Sequence, residues 1–292
     1  MIFLNRSLHF QKGKHNQSAS SSCKHPNIHR VKSASKSATY LRVKELDLIF
    51  DLGRCPISFI GTNHVFITHF HLDHYFGLPI YVSQRWLSNI PPGEIFVPEE
   101  GIKQLQNILD SIAKLDSQQI WNYHLIPVKI GDRIPFRRNL IVHAIAVNHT
   151  IPAIGYVVCE IRDKLKPEYH GRSGSEIAKL RKAGIPITNQ IELPLIAYLG
   201  DTQLVSMDTH PLLSRCQILI CECTFLLPED RQRAKKTKHF HLDSLTGLVE
   251  SFNGDKIVLT HFSQRYSTHL IQQQIEQVIP DLNQRSRIEL FI

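Results

Sequence analysis

The chain predicts an α+β protein in which packed sheets are flanked by helices. Two observations carry that class. Short apolar runs of strand length recur along the chain, and helical periodicities interrupt them in both halves without the regular strand–helix alternation of an all-parallel sheet. A third observation bounds the size: 292 residues at 42% hydrophobic can bury a substantial core as one large domain or two small ones. No stretch approaches ~18 consecutive apolar residues, so no membrane-spanning helix is expected.

Residues 1–37 are rich in Ser, Lys, Asn and His, without sustained periodicity. They read as a disordered extension or an organellar transit peptide, which would place the protein in the cytoplasm or, with a transit peptide, in the plastid stroma. A start placed too far upstream would give the same pattern. The folded body is expected over 38–292. It opens with strand pattern from about Thr39 through Leu48-Ile49-Phe50 to a turn at Asp51-Leu52-Gly53. A short strand at 65–68, a polar turn and a helix at 78–87 follow, then a strand at 95–97. Ile102, Leu105, Ile108, Leu109 and Ile112 stand at helical spacing, predicting a helix over 100–115 whose stripe packs in the core. Strands are expected at 124–130, 139–147, 155–161, 194–199, 217–223, 256–260 and 287–292, with helices at 243–252 and 268–278.

The net charge of +8 is a property of the leader. Nine of the 34 Lys/Arg lie in residues 1–44, which contain no acid, and the remaining 25 face 26 Asp/Glu. Affinity of the body for nucleic acid must therefore come from local patches. Two exist: 162–182 holds seven basic residues against three acids, and 231–238 holds five against none. The first contains Pro167, Gly171 and Gly174, read as breaking regular structure. The six cysteines form no CxxC pair and several sit in apolar runs, so they read as reduced, buried and structural. Cys221 and Cys223 are expected on one face of a strand as packing residues.

The segment Thr68-His69-Phe70-His71-Leu72-Asp73-His74 places three histidines and an aspartate directly after an apolar strand. Residues two apart in extended chain share a direction, so His69 and His71 can face one metal while Asp73 and His74 face a neighbouring one. Three further donors follow apolar strands: His149 after 141–147, Asp201 after 195–199, and His261 after 257–260. Together these give five histidines and two aspartates, enough for two metals sharing a carboxylate. Such a pair clamps the attacking and leaving oxygens of a displacement at phosphorus.

The His-x-His-x-Asp-His turn resembles the signature of the metallo-β-lactamase superfamily, which implies a four-layer αββα sandwich with a metal site at one edge. Narrower motifs resemble ribonuclease Z (tRNase Z), especially its shorter plant and cyanobacterial forms. These are Phe50-Asp51-Leu52-Gly53-Arg54-Cys55-Pro56, Asn148-His149-Thr150-Ile151-Pro152, Gly155-Tyr156, Gly200-Asp201-Thr202, Cys221-Glu222-Cys223-Thr224-Phe225, His239-Phe240-His241 and Leu259-Thr260-His261-Phe262-Ser263-Gln264-Arg265-Tyr266. The resemblance implies removal of the 3′ trailer from precursor tRNA by a two-zinc endoribonuclease, with Mn2+ or other divalent ions as alternatives. It assigns His69, His71 and His149 to one metal and Asp73, His74 and His261 to the second. Asp201 bridges the two, and a hydroxide between them is the nucleophile.

Asp73 is further expected to orient the attacking water. Glu222 with a nearby histidine would pass a proton to the leaving 3′ oxygen. His241 is expected in that role over His239, because it directly precedes the helix-start residues Leu242-Asp243-Ser244. The family's tRNA-gripping arm corresponds to about 162–188, with Lys164, Lys166, Arg172 and Lys179 as phosphate contacts, and a homodimer is implied. The sequence departs from the family in lacking its glycine-rich opening turn, an evident CCA-proximal loop and the arm's Gly-Pro signature, for which Gly184-Ile185-Pro186 is a partial substitute. Two other readings are compatible with the His69–His74 cluster: a hydrolase of a small phosphodiester, sulfate ester or thioester on the same fold, and an inactive tRNA-binding scaffold.

Overall fold

A computed structural model describes residues 31–33, 38–116, 120–203, 207 and 210–292. Among these residues the chain builds a six-stranded and a seven-stranded sheet. The first runs in spatial order β1 (Val31–Ser33), β2 (Tyr40–Val43), β3 (Leu48–Leu52), β4 (His64–Phe66), β5 (Glu94–Pro98) and β6 (His124–Val128). Its first three strands are antiparallel and β3 to β6 are parallel. The second contains β7 (Arg133–Arg137), β8 (Leu140–Ala146), β9 (Ile154–Leu165), β10 (Thr188–Tyr198), β11 (Ile218–Glu222), β12 (Lys256–Thr260) and β13 (Ile288–Leu290). There β7 to β10 are antiparallel and β10 to β13 parallel. The helices are α1 (Leu72–Tyr75), α2 (Leu78–Leu87), α3 (Ile102–Asp116), α4 (Gly174–Lys182), α5 (Pro211–Ser214), α6 (Arg231–Thr237), α7 (Leu245–Ser251), α8 (Thr268–Val278) and α9 (Leu282–Ser286).

Strand alternation explains the layering. Leu48 and Phe50 face the second sheet, where they meet Val142, Tyr156, Tyr198 and Val258, while Ile49 between them faces Leu78 and Val82 of α2. On β8, Val142 and Ala144 point between the sheets, and Ile141 and Ile145 point outward to the core under α5, α7 and α8. The result is the expected four-layer αββα sandwich. Aromatic stacking joins its middle layers, with ring centroids 4.9 Å apart for Phe50–Tyr198, while Phe66 and Phe96 stack at 4.4 Å on neighbouring strands of the first sheet.

Three expectations shift. Residues 31–33, assigned to the leader, pair with Leu41–Val43 as the edge strand β1, so the fold begins before residue 38; residues 1–30 and 34–37 lie outside the described residues. On α3, Leu105 and Leu109 are buried but Ile108 is 38% exposed, because it falls on the flank of the stripe. The segment 162–182 is also more regular than its Gly and Pro suggest. β9 and β10 continue their ladder to Leu165 and Thr188, and α4 starts on a capping box in which Ser173 and Glu176 satisfy each other's backbone N–H. Cys159, Cys216, Cys221 and Cys223 are buried free thiols, and Cys221 and Cys223 share the outer core as expected.

Candidate metal centre

Strands β8, β10, β11 and β12 run in one direction, and their C-terminal ends meet the end of β4 at a single edge of the sandwich. The chain leaves each of these strands with a polar residue. After β4 come His69 to His74, after β8 His149, after β10 Asp201, at the end of β11 Glu222, and after β12 His261. Close backbone approach makes the convergence possible. Gly200 has φ 60°, and a Cβ there would lie 2.8 Å from the Thr68 hydroxyl. His261 itself adopts φ 57°, a strained conformation of the kind concentrated at functional sites.

All seven predicted ligands come together. Donor atoms of His69, His71, His149 and Asp201 lie within 4.8 Å of one another, as do those of Asp73, His74 and His261. His71 Nδ1 is 3.0 Å from His69 Nε2 and 3.1 Å from His149 Nε2. Asp201 Oδ2 stands between the groups, 3.9 Å from His69 Nε2, 3.3 Å from His74 Nε2 and 3.5 Å from His261 Nε2. Asp73 Oδ2 lies 3.6 Å from His74 Nε2 and 3.5 Å from His261 Nε2.

The surrounding hydrogen bonds show that this donor set fits cations. The Thr68 hydroxyl donates to Asp51, so its oxygen accepts from His69 Nδ1–H at 2.9 Å. His74 Nδ1–H donates to Asp51 Oδ2 at 2.8 Å. The Thr224 hydroxyl donates to Glu222 and accepts from His261 Nδ1–H at 2.9 Å. In each case the outer ring nitrogen is committed as a donor, which turns the lone pair of Nε2 inward. The Nε2 atom of His74 is buried with no hydrogen-bond partner. Converging lone pairs with an orphaned buried nitrogen among them are what divalent cations satisfy.

Electrostatics agree. Burial holds His69 well below the usual imidazole range and lowers His149 to about 4, so both present neutral rings. Burial would also lower His74 and His261. Asp201 and Asp51 instead hold His74 well above its ordinary value, and Asp201 with Asp73 lifts His261 to about 9. The carboxylates thus demand positive charge at this point. Asp201, whose burial would raise its pKa, is held well below the usual carboxylate range by the charges of His261 and His74.

Glu222 meets a different histidine from the one expected. Glu222 is buried and accepts from the Thr202 backbone N–H at 2.7 Å and from the Thr224 hydroxyl. Its ring partner is His239, whose Nδ1 lies 2.8 Å away, and His239 stacks on His261 with centroids 5.6 Å apart. His241 is elsewhere. Its Nδ1 accepts from Asp243 N at 3.2 Å as the cap of a short helix, and its Nε2 donates to the Leu227 carbonyl at 3.0 Å. The helix-start signal in Leu242-Asp243-Ser244 is therefore real, and capping that helix is what occupies His241.

Two residues without an assigned role in the sequence are now placed. Asp51, fully buried at φ 50°, receives Thr68, His74 and the Tyr198 hydroxyl, so it orients two ligand-bearing segments at once. Asp230, also buried, binds Arg265 at 2.8 Å and the Tyr266 hydroxyl, tying the C-terminal Ser263–Tyr266 motif to the segment that carries His239. The proposed phosphate contacts are not at the centre. Lys164, Arg172 and Lys179 are exposed and Lys166 half-buried on the β9–α4–β10 arm. The arm begins where Leu165 pairs with Thr188, nine residues along the ladder from the Tyr156–Tyr198 pair at the metal edge, or about 30 Å.

A family model described as "Beta-lactamase superfamily domain" matches residues 56–262. The chain is 36% identical over 240 residues to the chloroplastic tRNase Z TRZ2 of Arabidopsis thaliana, covering 81% of this chain and 68% of that protein. It is 35% identical over 245 residues to tRNase Z TRZ1 of the same plant, covering 82% and 86%. Among solved structures, human tRNase Z short form superposes with a TM-score of 0.57 at 21% identity over 89% of this chain and 90% of that one. The metallo-beta-lactamase fold protein YhfI of Bacillus subtilis gives 0.59 at 12% identity over 89% and 91%. Both structural likenesses speak to the fold.

Proposed function

This chain belongs to the tRNase Z family of the beta-lactamase superfamily, and on that footing we propose that it is an endoribonuclease removing the 3′ trailer from precursor tRNA. The observation that carries the chemistry is the hydrogen-bonded pair of buried Glu222 and His239 set against the seven-ligand centre. His69, His71 and His149 would hold one divalent cation, Asp73, His74 and His261 the other, with Asp201 shared. Bound zinc, or manganese in its place, would supply Lewis acidity and lower the pKa of the attacking water.

The protein's own groups divide the remaining work. Asp73, with its side chain 43% exposed, lines the cavity beside the centre and can orient the attacking water and take its proton. Glu222 fixes His239 through Nδ1, which frees Nε2 to deliver a proton to the ribose 3′ oxygen as the bond to phosphorus breaks. A ribose alkoxide is a poor leaving group, so this donation carries real catalytic weight. The basic arm, about 30 Å away along the sheet, suits a substrate as long as a tRNA far better than a small ester. That separation also favours a homodimer in which one subunit's arm holds the tRNA processed by the other. The acid-free basic leader, together with likeness to a chloroplastic relative, supports a plastid address.

Incubating the protein, loaded with zinc, with a precursor tRNA and with a generic phosphodiester tests the reading. A single cut releasing the trailer is expected. Hydrolysis of the diester with the precursor left intact would replace it with a small-diester hydrolase. Binding of the precursor without cleavage, unchanged by Asp73→Ala, would indicate a scaffold.

A further inference from the structure

Beside the metal centre lies a cavity of about 550 Å3, lined by Asp73, His239 and His261 together with Phe225, Arg233 and Thr237. Its size is that of a pocket for a small organic group. Arg233 is the Lys or Arg side chain that lines it among the described residues, and three cations close to it in sequence or space are already engaged. Arg231 is held by Asp243 at 2.5 Å, Arg265 by Asp230 at 2.8 Å, and Lys238 donates to the His149 carbonyl at 3.0 Å. Arg233, exposed on α6, has no carboxylate within bridging distance among the described residues. Its guanidinium rests over the Phe225 ring, 5.7 Å from the centroid. Phe225 is itself buried at 4% exposure and pinned by its backbone N–H to the Phe240 carbonyl at 3.3 Å. A fixed apolar shelf beneath an unpaired guanidinium leaves the planar donor edge free for an anion.

The position of that edge relative to the chemistry is also fixed. The His239 backbone N–H donates to the Ala234 carbonyl at 3.0 Å, so the end of α6 is bonded directly to the residue that carries the proposed proton. We propose that Arg233 grips the phosphodiester immediately 5′ of the last retained nucleotide, positioning that nucleotide's 3′ oxygen at His239. The assignment rests on the proposed trailer cleavage. It follows because His239 serves the leaving oxygen, which belongs to the retained side of the break, and the next phosphate on that side is the nearest anion to a cation sharing the wall with His239. Two parallel N–H···O bonds from the guanidinium to one phosphate would fix its orientation as well as its distance.

The test pairs protein and substrate changes. Precursor tRNAs carrying a single uncharged methylphosphonate at successive linkages are cleaved in single-turnover reactions by the wild type, Arg233→Ala and Arg233→Lys. Neutralising the linkage 5′ of the last retained nucleotide should slow the wild type about tenfold or more, and Arg233→Ala should lose a similar factor on unmodified RNA. Combining the two should cost no more than about twofold beyond either alone, because both remove one contact. Arg233→Lys should recover part of the loss and restore sensitivity to the modification. Losses that multiply at every linkage would overturn the role of Arg233 while leaving trailer cleavage intact. A wild type that hydrolyses a generic diester but spares the precursor would overturn the proposed function, and this inference with it.

Discussion

Side chains behind the candidate metal donors determine how the centre is set. Asp51 neither approaches the substrate cavity nor ligates, yet it holds Thr68 and His74 and thereby aims Nε2 of both His69 and His74. Asp51→Asn tolerates the positive φ but removes the charge behind His74. It should weaken metal binding by roughly 10- to 100-fold in a calorimetric titration while preserving the far-ultraviolet spectrum. Equal affinity in the variant would show that Asp51 serves only packing. The histidine pair gives a second contrast. His239→Ala should slow single-turnover cleavage by roughly 10²- to 10⁴-fold, whereas His241→Ala, which loses a cap and a carbonyl contact, should stay within a few-fold of wild type. The candidate donors were readable because His149, Asp201 and His261 each follow an apolar strand and the remaining four form one short cluster after another such strand, a local pattern. The choice between His239 and His241 was not, because both follow the same basic helix and only the reach of buried Glu222 across 17 residues separates them.

At the scale of elements, strand and helix positions in the sandwich followed from periodicity; α2, β12 and α8 match their expected spans. The arm was less legible. Its helix has no buried residue, so no apolar stripe announces it, and the capping pair Ser173–Glu176 is the signal that was available. Since Lys164, Lys166, Arg172 and Lys179 form no salt bridge among the described residues, replacing them with neutral residues should reduce the slope of log affinity for tRNA against log salt by up to about four. Loss on precursor tRNA should exceed loss on a small phosphodiester, and an unaltered salt slope would exclude the arm from binding. The segment between β11 and α7 behaves as a second unit, clamped by Asp230. Burial would raise that carboxyl, but the bonds from Tyr266 and Arg265 outweigh it and hold the pKa below 3.8. The group therefore stabilises the fold fully above 3.8, the unfolded value, and the contribution fades as pH falls through the lower folded value. Asp230→Asn should melt below wild type at neutral pH, with the gap closing in acid; a gap independent of pH would assign the loss to packing alone.

The whole molecule places its chemistry at a seam. His69, His71, Asp73 and His74 leave the first sheet, whereas His149, Asp201 and His261 leave the second, so the centre draws from both halves of the sandwich. Elsewhere the halves meet through apolar contacts and stacked rings, which tolerate small sliding movements; at this edge polar groups with fixed directions must coincide. Bound cations would act as cross-links between sheets as well as reagents, and anything that binds the native state alone stabilises it by mass action. At a free metal concentration near a thousand times the dissociation constant that amounts to about 4 kcal/mol, or on the order of 10 °C in melting temperature for a domain of this size. Stripping metal with a chelator should therefore lower the calorimetric melting point by that order and speed hydrogen exchange at the ends of β4, β8 and β10. Re-adding zinc should reverse both changes. Asp201→Asn, which weakens the one carboxylate facing both ligand groups, should show a smaller response to the chelator than wild type. Identical melting with and without metal would mean that apolar packing alone sets the seam and that the cations serve only the reaction.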